Sequence, residues 1–368
     1  MENNCAKEFM NLVNEKGLSQ QELKEKLQEI YRKNLPPFAE ILVNPHCPNK
    51  CKHCIYPEDY HCHNKTLGLE TWKGIINNMY EKLEFRHFIF GGRGLNNTII
   101  EIIRYLNKNF PDIKVGMIAD GPAIKKYYDE ICSLRIDHFD ISVDGLKETH
   151  DEQRNFPGAF DITIEQIKRL LDGGLAKGNI GKLSILATLT TINKEEILPM
   201  IKYLNEDFGL KNFFITPVST YAGRPDKSLK PSYEETIGFI KETLEFFSRL
   251  NDSYVSFNIY EDDIINYLRE NYSELYNKLK PTEDFFEFGE ESGNNEFHFF
   301  WYPTAINGCR EFIVNCDGKI FTGLVQALGK IPDKFIFGDV LEINKNREDF
   351  FKRLIESPAF DFYVGYLS

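Results

Sequence analysis

The chain lacks any apolar run long enough to span a bilayer, which takes about 20 residues. It also lacks a basic excess, with 44 Lys and Arg against 56 Asp and Glu and a net charge of -12. A general nucleic-acid binder needs a basic surface to displace counterions, so the charge argues against that class, although it does not exclude a local basic pocket. The N-terminal stretch MENNCAKEFMNLVNEK has no apolar core of the kind a signal peptide carries. The expectation is a soluble, cytoplasmic protein with neither a membrane nor a nucleic acid as partner. Internal repeats and low-complexity segments are absent too. Cysteine is scarce, at eight in 368 residues, yet three of the eight crowd into NPHCPNKCKHC at 44–54. Without a signal peptide, clustered cysteines suggest metal or redox chemistry rather than disulfides.

The first 35 residues read as helical, with Ser19 and Glu22 spaced as a capping box. Proline-containing LPP at 35–37 ends that segment. Strand-like segments then alternate with helix-like ones, at 38–44, 86–92, 113–120, 138–145, 183–190 and 211–219. Most of these strands are apolar with little alternation, as strands buried on both faces of a parallel sheet are. Six strand–helix units in series predict an α/β fold with right-handed crossovers, either a partial barrel or a doubly wound layer. Function then collects at the C-terminal strand ends, where the cysteine loop lies. After GRP at 223–225 the pattern changes. Helices are expected near 232–250, 261–279 and 345–356, a loop over 281–298, and a hairpin turning at Asp317 and Gly318. The expected organisation is a helical segment at 1–35, a barrel at 36–225 and a smaller α+β domain at 226–368.

Cys47, Cys51 and Cys54 are spaced C-x3-C-x2-C, which lets one loop wrap three thiolates around one metal centre. A zinc site needs a fourth ligand, and His46, His53, His61, Cys62 and His63 are all close in sequence. The alternative is a [4Fe–4S] cluster with three irons held by cysteine and the fourth open to a small ligand. A structural zinc loop can sit anywhere, whereas an open cluster used for chemistry belongs at the functional end of a barrel.

C-x3-C-x2-C after a first strand resembles the radical S-adenosylmethionine (SAM) family. The resemblance implies a partial (β/α)6 TIM-like barrel, one [4Fe–4S] cluster on Cys47, Cys51 and Cys54, and SAM bound at the open iron. FIFGGRG at 88–94 resembles the motif of two glycines, Glu and Pro that follows the second strand and meets the SAM amino group. Gly91 and Gly92 are retained, while Arg93 stands where Glu is usual and Gly94 where Pro is usual. A guanidinium cannot accept from an ammonium, so backbone carbonyls near Gly91 would take that role, and Arg93 would suit a carboxylate of SAM or substrate. DISVDGLKETHDEQR at 140–154 resembles the fourth strand of the SPASM and twitch subfamily. The resemblance assigns Ser142 and Asp144 to the SAM ribose and Arg154 to its carboxylate. It likewise turns Thr190 and Asn193 toward the adenosine, with Pro217 and Gly223 shaping the adenine pocket.

CREFIVNCDGKIFTG at 309–323 resembles the opening of a SPASM domain. The family pattern expects cysteine where Gly323 stands, and no cysteine follows Cys316. The implied domain is SPASM-like without an auxiliary cluster, a cap over the barrel mouth. With one cluster, a redox-neutral outcome is easier than a net oxidation: epimerisation, rearrangement, elimination or decarboxylation. An epimerase needs a hydrogen donor opposite the radical, which makes Cys309 and Cys316 candidates, although free cysteine is also a common core residue. Cys5 and Cys132 are expected to lie on helices and be inert, and Cys62 to sit in the loop after the cluster. The subfamily implies a peptide or small-molecule substrate and a flavodoxin- or ferredoxin-type electron donor. C–H oxidation or cross-linking of a ribosomal peptide, and a zinc-binding interaction protein, are the rival readings. Aromatics at 281–302 are candidates for a substrate cleft.

Overall fold

A computed structural model describes residues 5–15, 17–34, 38–44, 47–55, 66–175, 177–219, 226–282, 285–304, 311–322, 336–339, 346–358, 360–361 and 364. In chain order the strands are β1 (Phe38–Ile41), β2 (His87–Phe90), β3 (Lys114–Ala119), β4 (Ile136–Ser142), β5 (Ile180–Leu189) and β6 (Asn212–Pro217). They are followed by β7 (Tyr254–Ile259), β8 (Lys280–Pro281), β9 (Phe286–Ser292), β10 (Asn295–Trp301), β11 (Glu311–Val314), β12 (Lys319–Thr322) and β13 (Ile336–Asp339). All join one 13-stranded sheet in the order β13-β12-β11-β1-β2-β3-β4-β5-β6-β7-β10-β9-β8.

From β11 through β1 to β7 and β10, every neighbouring pair is parallel. The outer strands β8, β9, β12 and β13 add on antiparallel. The fold is mixed α/β with the expected partial TIM-like barrel. The sheet is open, with β13 and β8 at its edges. The change of pattern near 225 leaves no break, because β7 pairs directly with β6.

One correction concerns 281–298. This stretch is not a loop: β9 and β10 form an antiparallel hairpin. Its turn carries Gly293 at φ +62, a conformation glycine adopts without strain. Phe286, Phe288, Phe297, Phe299 and Trp301 are buried, while acidic residues such as Glu287 and Glu296 alternate with them. The hairpin at 317–318 stands as expected, with the Gly318 amide donating to Asn315 O at 2.8 Å.

Along the barrel strands, alternate residues go to opposite faces. Phe88, Phe90, Val115, Met117, Phe139 and Ile141 are buried in one core with Trp72, Ile76 and Met79 of helix Leu69–Glu81 and Ile99, Ile103 and Leu106 of helix Asn97–Asn109. Each large side chain so buried contributes roughly 1.5–3 kcal/mol. The other face (Ile89, Ile118, Asp140, Ser142, Thr188 and Thr216) looks into a cavity. Local signals start the helices. Asn96 caps Asn97–Asn109 by accepting from the Ile99 amide at 2.9 Å, a contact typically contributing about 1 kcal/mol. The Ser19–Glu22 capping box is present at helix Gln20–Asn34. That helix packs on the C-terminal region, with Arg32 over the Phe351 ring at 5.0 Å and Tyr31 edge-on to Phe360 at 5.4 Å.

Candidate active site

The loop after β1 presents Cys47, Cys51 and Cys54 to a cavity of about 730 Å³ inside the sheet. Two anchors hold this loop. The Lys52 amide donates to Gln153 O at 2.9 Å, and the Asn49 side-chain amide donates to the Asp120 carboxylate. Asp120 is itself fixed, because it caps the helix after β3 through the Ala123 amide at 2.9 Å. Burial raises the Cys47 thiol and pushes Cys51 up to about 11, the latter despite the nearby Arg154 guanidinium. Thiols in such a place become thiolates readily only when a metal takes them.

Among the described residues, no three His, Cys, Asp or Glu side chains converge closely enough to chelate a single ion. A [4Fe–4S] cluster makes a different demand, one thiolate for each of three irons. Three thiols facing one cavity, close enough to act on one another electrostatically, fit it. Of the other zinc-ligand candidates, His53 is buried on the cavity wall with its Nδ1 unpartnered, and burial lowers it to about 4. His46, His61, Cys62 and His63 lie outside the described residues.

The glycine turn after β2 sits beside the thiols. Gly91, Gly92 and Gly94 line the cavity. Gly91 has φ +107, and a Cβ there would overlap the Ile118 carbonyl oxygen, so only glycine fits. The Gly94 amide donates to Gly91 O at 2.8 Å, and the Asn44 side chain donates to Gly94 O at 2.9 Å. Arg93 does not face the cavity. It is buried at 2% exposure, and its Nη1 donates to Asn315 Oδ1 at 3.3 Å, toward the end of β11.

Ser142 and Arg154 line the cavity, with Arg154 Nη1 at 3.9 Å from Cys51 Sγ. Asp144 lies behind them. Its carboxylate is fully buried, pairs with Arg154 Nε at 2.6 Å and accepts the Thr188 amide at 2.9 Å. Burial works to raise Asp144, but Arg154, His53, His150 and the Thr188 amide outweigh it and hold the carboxyl below its ordinary value. Burial works to lower Arg154, and Asp144 leads the charges that raise it.

Thr190 and Asn193 are fully buried and do not line the cavity. Asn193 donates to Asp144 O and Thr188 O, each at 2.7 Å, and accepts from the Thr190 amide at 2.7 Å. Thr190 Oγ1 donates to Gln153 Oε1 at 2.7 Å. The network ties the ends of β4 and β5 to the helix Lys147–Arg154 and, through Gln153 O, to the cysteine loop. The candidates therefore divide. Gly91, Gly92, Ser142 and Arg154 stand on the wall, while Arg93, Asp144, Thr190 and Asn193 stand behind it. Pro217 is on the wall and Gly223 is outside the described residues.

The thiol candidates fare differently. Cys309 lies outside the described residues. Cys316 is fully buried and does not line the cavity.

Residues not singled out from the sequence complete the cavity. Asp140 projects from β4, Tyr254 and Asn258 from β7, and Glu40 and Glu311 from β1 and β11. Tyr260, Phe285, Phe300 and Tyr302 form an aromatic wall, with Tyr260 and Tyr302 stacked at 4.9 Å and 12°. The expected cleft role of the 281–302 aromatics thus falls to the residues pointing inward, while their strand neighbours pack the core.

An open parallel barrel with a cavity-facing three-thiol loop after its first strand is the arrangement expected of a radical SAM domain. Residues 41–204 match the Radical SAM superfamily model. That superfamily uses a [4Fe–4S] cluster and SAM, the matched segment is a radical SAM domain, and the fold of the chain is like that of SPASM- and twitch-type members. Among solved structures it is similar to Streptococcus suis SuiB bound to the precursor peptide SuiA, with TM-score 0.63, 13% identity, and coverage of 90% of this chain and 71% of that one. It is also similar to anSMEcpe with bound AdoMet and a peptide, with TM-score 0.57, 14% identity, and coverage of 88% and 80%. A probable GTP 3′,8-cyclase of Methanococcus maripaludis is 24% identical over 170 residues, 46% of this chain. The match spans about half of that relative's length, 55%. No helix among the described residues is long and apolar enough to cross a membrane.

Proposed function

We propose that this enzyme acts on a peptide or small metabolite by hydrogen-atom abstraction, with a redox-neutral outcome such as epimerisation, rearrangement, elimination or decarboxylation. The observation that carries the reading is the shared cavity: Cys47, Cys51 and Cys54 face the same space as Gly91, Ser142 and Arg154. The bound group would supply a 5′-deoxyadenosyl radical from SAM after one-electron reduction by a flavodoxin- or ferredoxin-type donor.

The chain's own residues do the rest. The three thiols hold the cluster. The Gly91–Gly94 turn would offer backbone carbonyls to the SAM amino group, with no side chain at Gly91 in the way. Ser142 offers a hydroxyl to the ribose, and Arg154, oriented by Asp144, offers a fork to the carboxylate. Thr190, Asn193 and Arg93 act as positioning residues that keep the strand ends and the glycine turn in place. The inward aromatics exclude water around the reacting carbon.

Within these 368 residues no cysteine follows Cys316, which supports a single cluster among them and with it the redox-neutral outcome. A peptide substrate is supported by the peptide-bound structural neighbours, and a small metabolite by the cyclase relative.

Anaerobic reconstitution tests this directly. About four irons per chain are expected, one cluster's worth, with 5′-deoxyadenosine formed on reduction in the presence of SAM. Eight irons would overturn the single-cluster reading, and one zinc without SAM cleavage would favour the zinc-binding alternative. Turnover of a candidate substrate in heavy water reads the outcome. A product two mass units lighter would mean net oxidation and refute the redox-neutral assignment.

A further inference from the structure

Asp140 sits on the inward face of β4, two residues before Ser142, about 7 Å deeper along the strand. Its Oδ1 is buried, and the donor nearest to it, the hydroxyl of its cross-strand neighbour Ser184, stands beside it without a well-formed hydrogen bond. Burial pushes its carboxyl up to about 6, so it is still mostly ionised at neutral pH. Lys182, across on β5, is the described cation acting on it, yet makes no ion pair with it among the described contacts. The Lys182 Nζ instead lies over the Phe214 and Tyr254 rings at 5.2 and 4.9 Å. A buried, half-satisfied carboxylate is costly unless something completes it.

The surroundings indicate what would complete it. Glu40, Asp120, Asp140, Glu261 and Glu311 line the cavity; Glu261 is paired with Lys230, Asp120 accepts from Asn49 and the Ala123 amide, and the lining guanidinium, Arg154, is paired with Asp144. The Tyr260 hydroxyl lies within electrostatic reach of Tyr302, Glu311 and Asp140, so side chains from β4 and β11 and from the residues just after β7 and β10 come together at the cavity. The stacked Tyr260 and Tyr302 rings add faces that attract cations. An anionic group placed beside Asp140, such as a carboxylate or a triphosphate, would meet repulsion from its carboxylate.

We infer that this part of the cavity receives a cationic group of the substrate, an ammonium or guanidinium, with Asp140 as its counter-ion and Tyr260 and Tyr302 as its aromatic face. The inference deepens the proposed function and rests on it only in calling the ligand a substrate.

The test uses the cluster-loaded enzyme with SAM and three probes: Nα-acetyl-lysine methylamide and its norleucine and glutamate counterparts. Dissociation constants come from equilibrium dialysis and ligand-observed NMR. The lysine probe should bind roughly tenfold to a hundredfold tighter than the norleucine probe, the range of a charge-assisted hydrogen bond. Asp140→Asn should bring that ratio close to one, with melting temperature and iron content reporting on its fold. Should Asp140→Asn fail to fold, Tyr260→Leu decides by lowering the same ratio several-fold. Equal binding of lysine and norleucine probes, preference for the glutamate probe, no binding of any probe, or an undiminished ratio in the variants overturns the inference. Iron loading and 5′-deoxyadenosine formation in the same preparation report separately on the radical SAM reading.

Discussion

Arg154 Nε lies 2.6 Å from the Oδ2 of Asp144, a carboxylate with no exposed surface. The Nη1 of the same guanidinium stands 3.9 Å from Cys51 Sγ. One side chain thus links the buried end of β4 to the cluster loop. The pair comes from opposite sides of a short loop and helix, so its geometry is built by the Lys147–Arg154 helix rather than by the strand alone. Breaking it leaves a charge stranded in the interior.

Arg154→Ala should therefore destabilise the protein by about 3–5 kcal/mol, the usual cost of removing one member of a buried pair. It should also weaken SAM binding at least tenfold. Denaturant melts and SAM equilibrium dialysis check the two effects. Asp144→Asn keeps the shape and leaves Arg154 unpaired, so it should lose stability while retaining more SAM affinity than Arg154→Ala. Equal loss of SAM affinity in both variants would argue that Arg154 acts only through the fold.

Replacing any one of Cys47, Cys51 and Cys54 by Ala should bring iron content after reconstitution from about four per chain to below one, because each thiolate serves its own iron. Cys132→Ser should leave it unchanged, since Cys132 does not line the cavity. Iron assays and cluster absorption decide. Full loading in a Cys51→Ala variant would mean that a residue other than these three holds the cluster.

The sequence carried much of this site and concealed a definable part. The cysteine spacing, the paired glycines and the strand–helix alternation are local signals, and each is legible without a structure. What lies behind the wall is not. Nothing in LATLTTIN says whether Thr190 and Asn193 turn outward to a ligand or inward to Gln153 and Asp144, because that depends on how the helix Lys147–Arg154 packs on β5. Asp140 is a different case. HFDIS alternates His138, Asp140 and Ser142 with Phe139 and Ile141, and a strand buried on both faces should not. Reading those strands as uniformly apolar overlooked a polar interior. The hairpin at 286–301 was hidden similarly, its period-2 phenylalanines masked by acidic residues on the other face.

Gly91→Ala separates backbone geometry from chemistry. The added methyl meets the Ile118 carbonyl oxygen, and φ +107 is strained for any L side chain. A cost of about 1–3 kcal/mol is expected from the backbone conformation, with the overlap adding to it. Because the turn lines the cavity, SAM affinity should fall more than tenfold even in protein that remains folded at 15 °C. Gly68→Ala has open space around it and serves as the control, with unchanged SAM binding.

Acid should destabilise the iron-free protein through its buried histidines. His150 Nδ1 accepts the Asp144 amide at 3.1 Å, which only an imidazole unprotonated at that nitrogen can do. Burial lowers His150 to about 4, His87 to about 4, and His138 as well. In the unfolded chain each takes its proton near pH 6.5. The unfolded state therefore binds more protons below pH 6.5, and stability is lost as pH falls from there through the folded values near 4. Asp140 and Asp262 act in the opposite sense. Burial raises both to about 6, so the folded state gains protons before the unfolded state does, and this offsets part of the loss. Thermal melts of the iron-free protein should show Tm falling between pH 6.5 and 4.5. The fall should steepen in Asp140→Asn with Asp262→Asn, because the offset is gone, and flatten in His150→Gln. A Tm that rises as pH is lowered through this window would contradict the assignment of the histidines as neutral in the folded state.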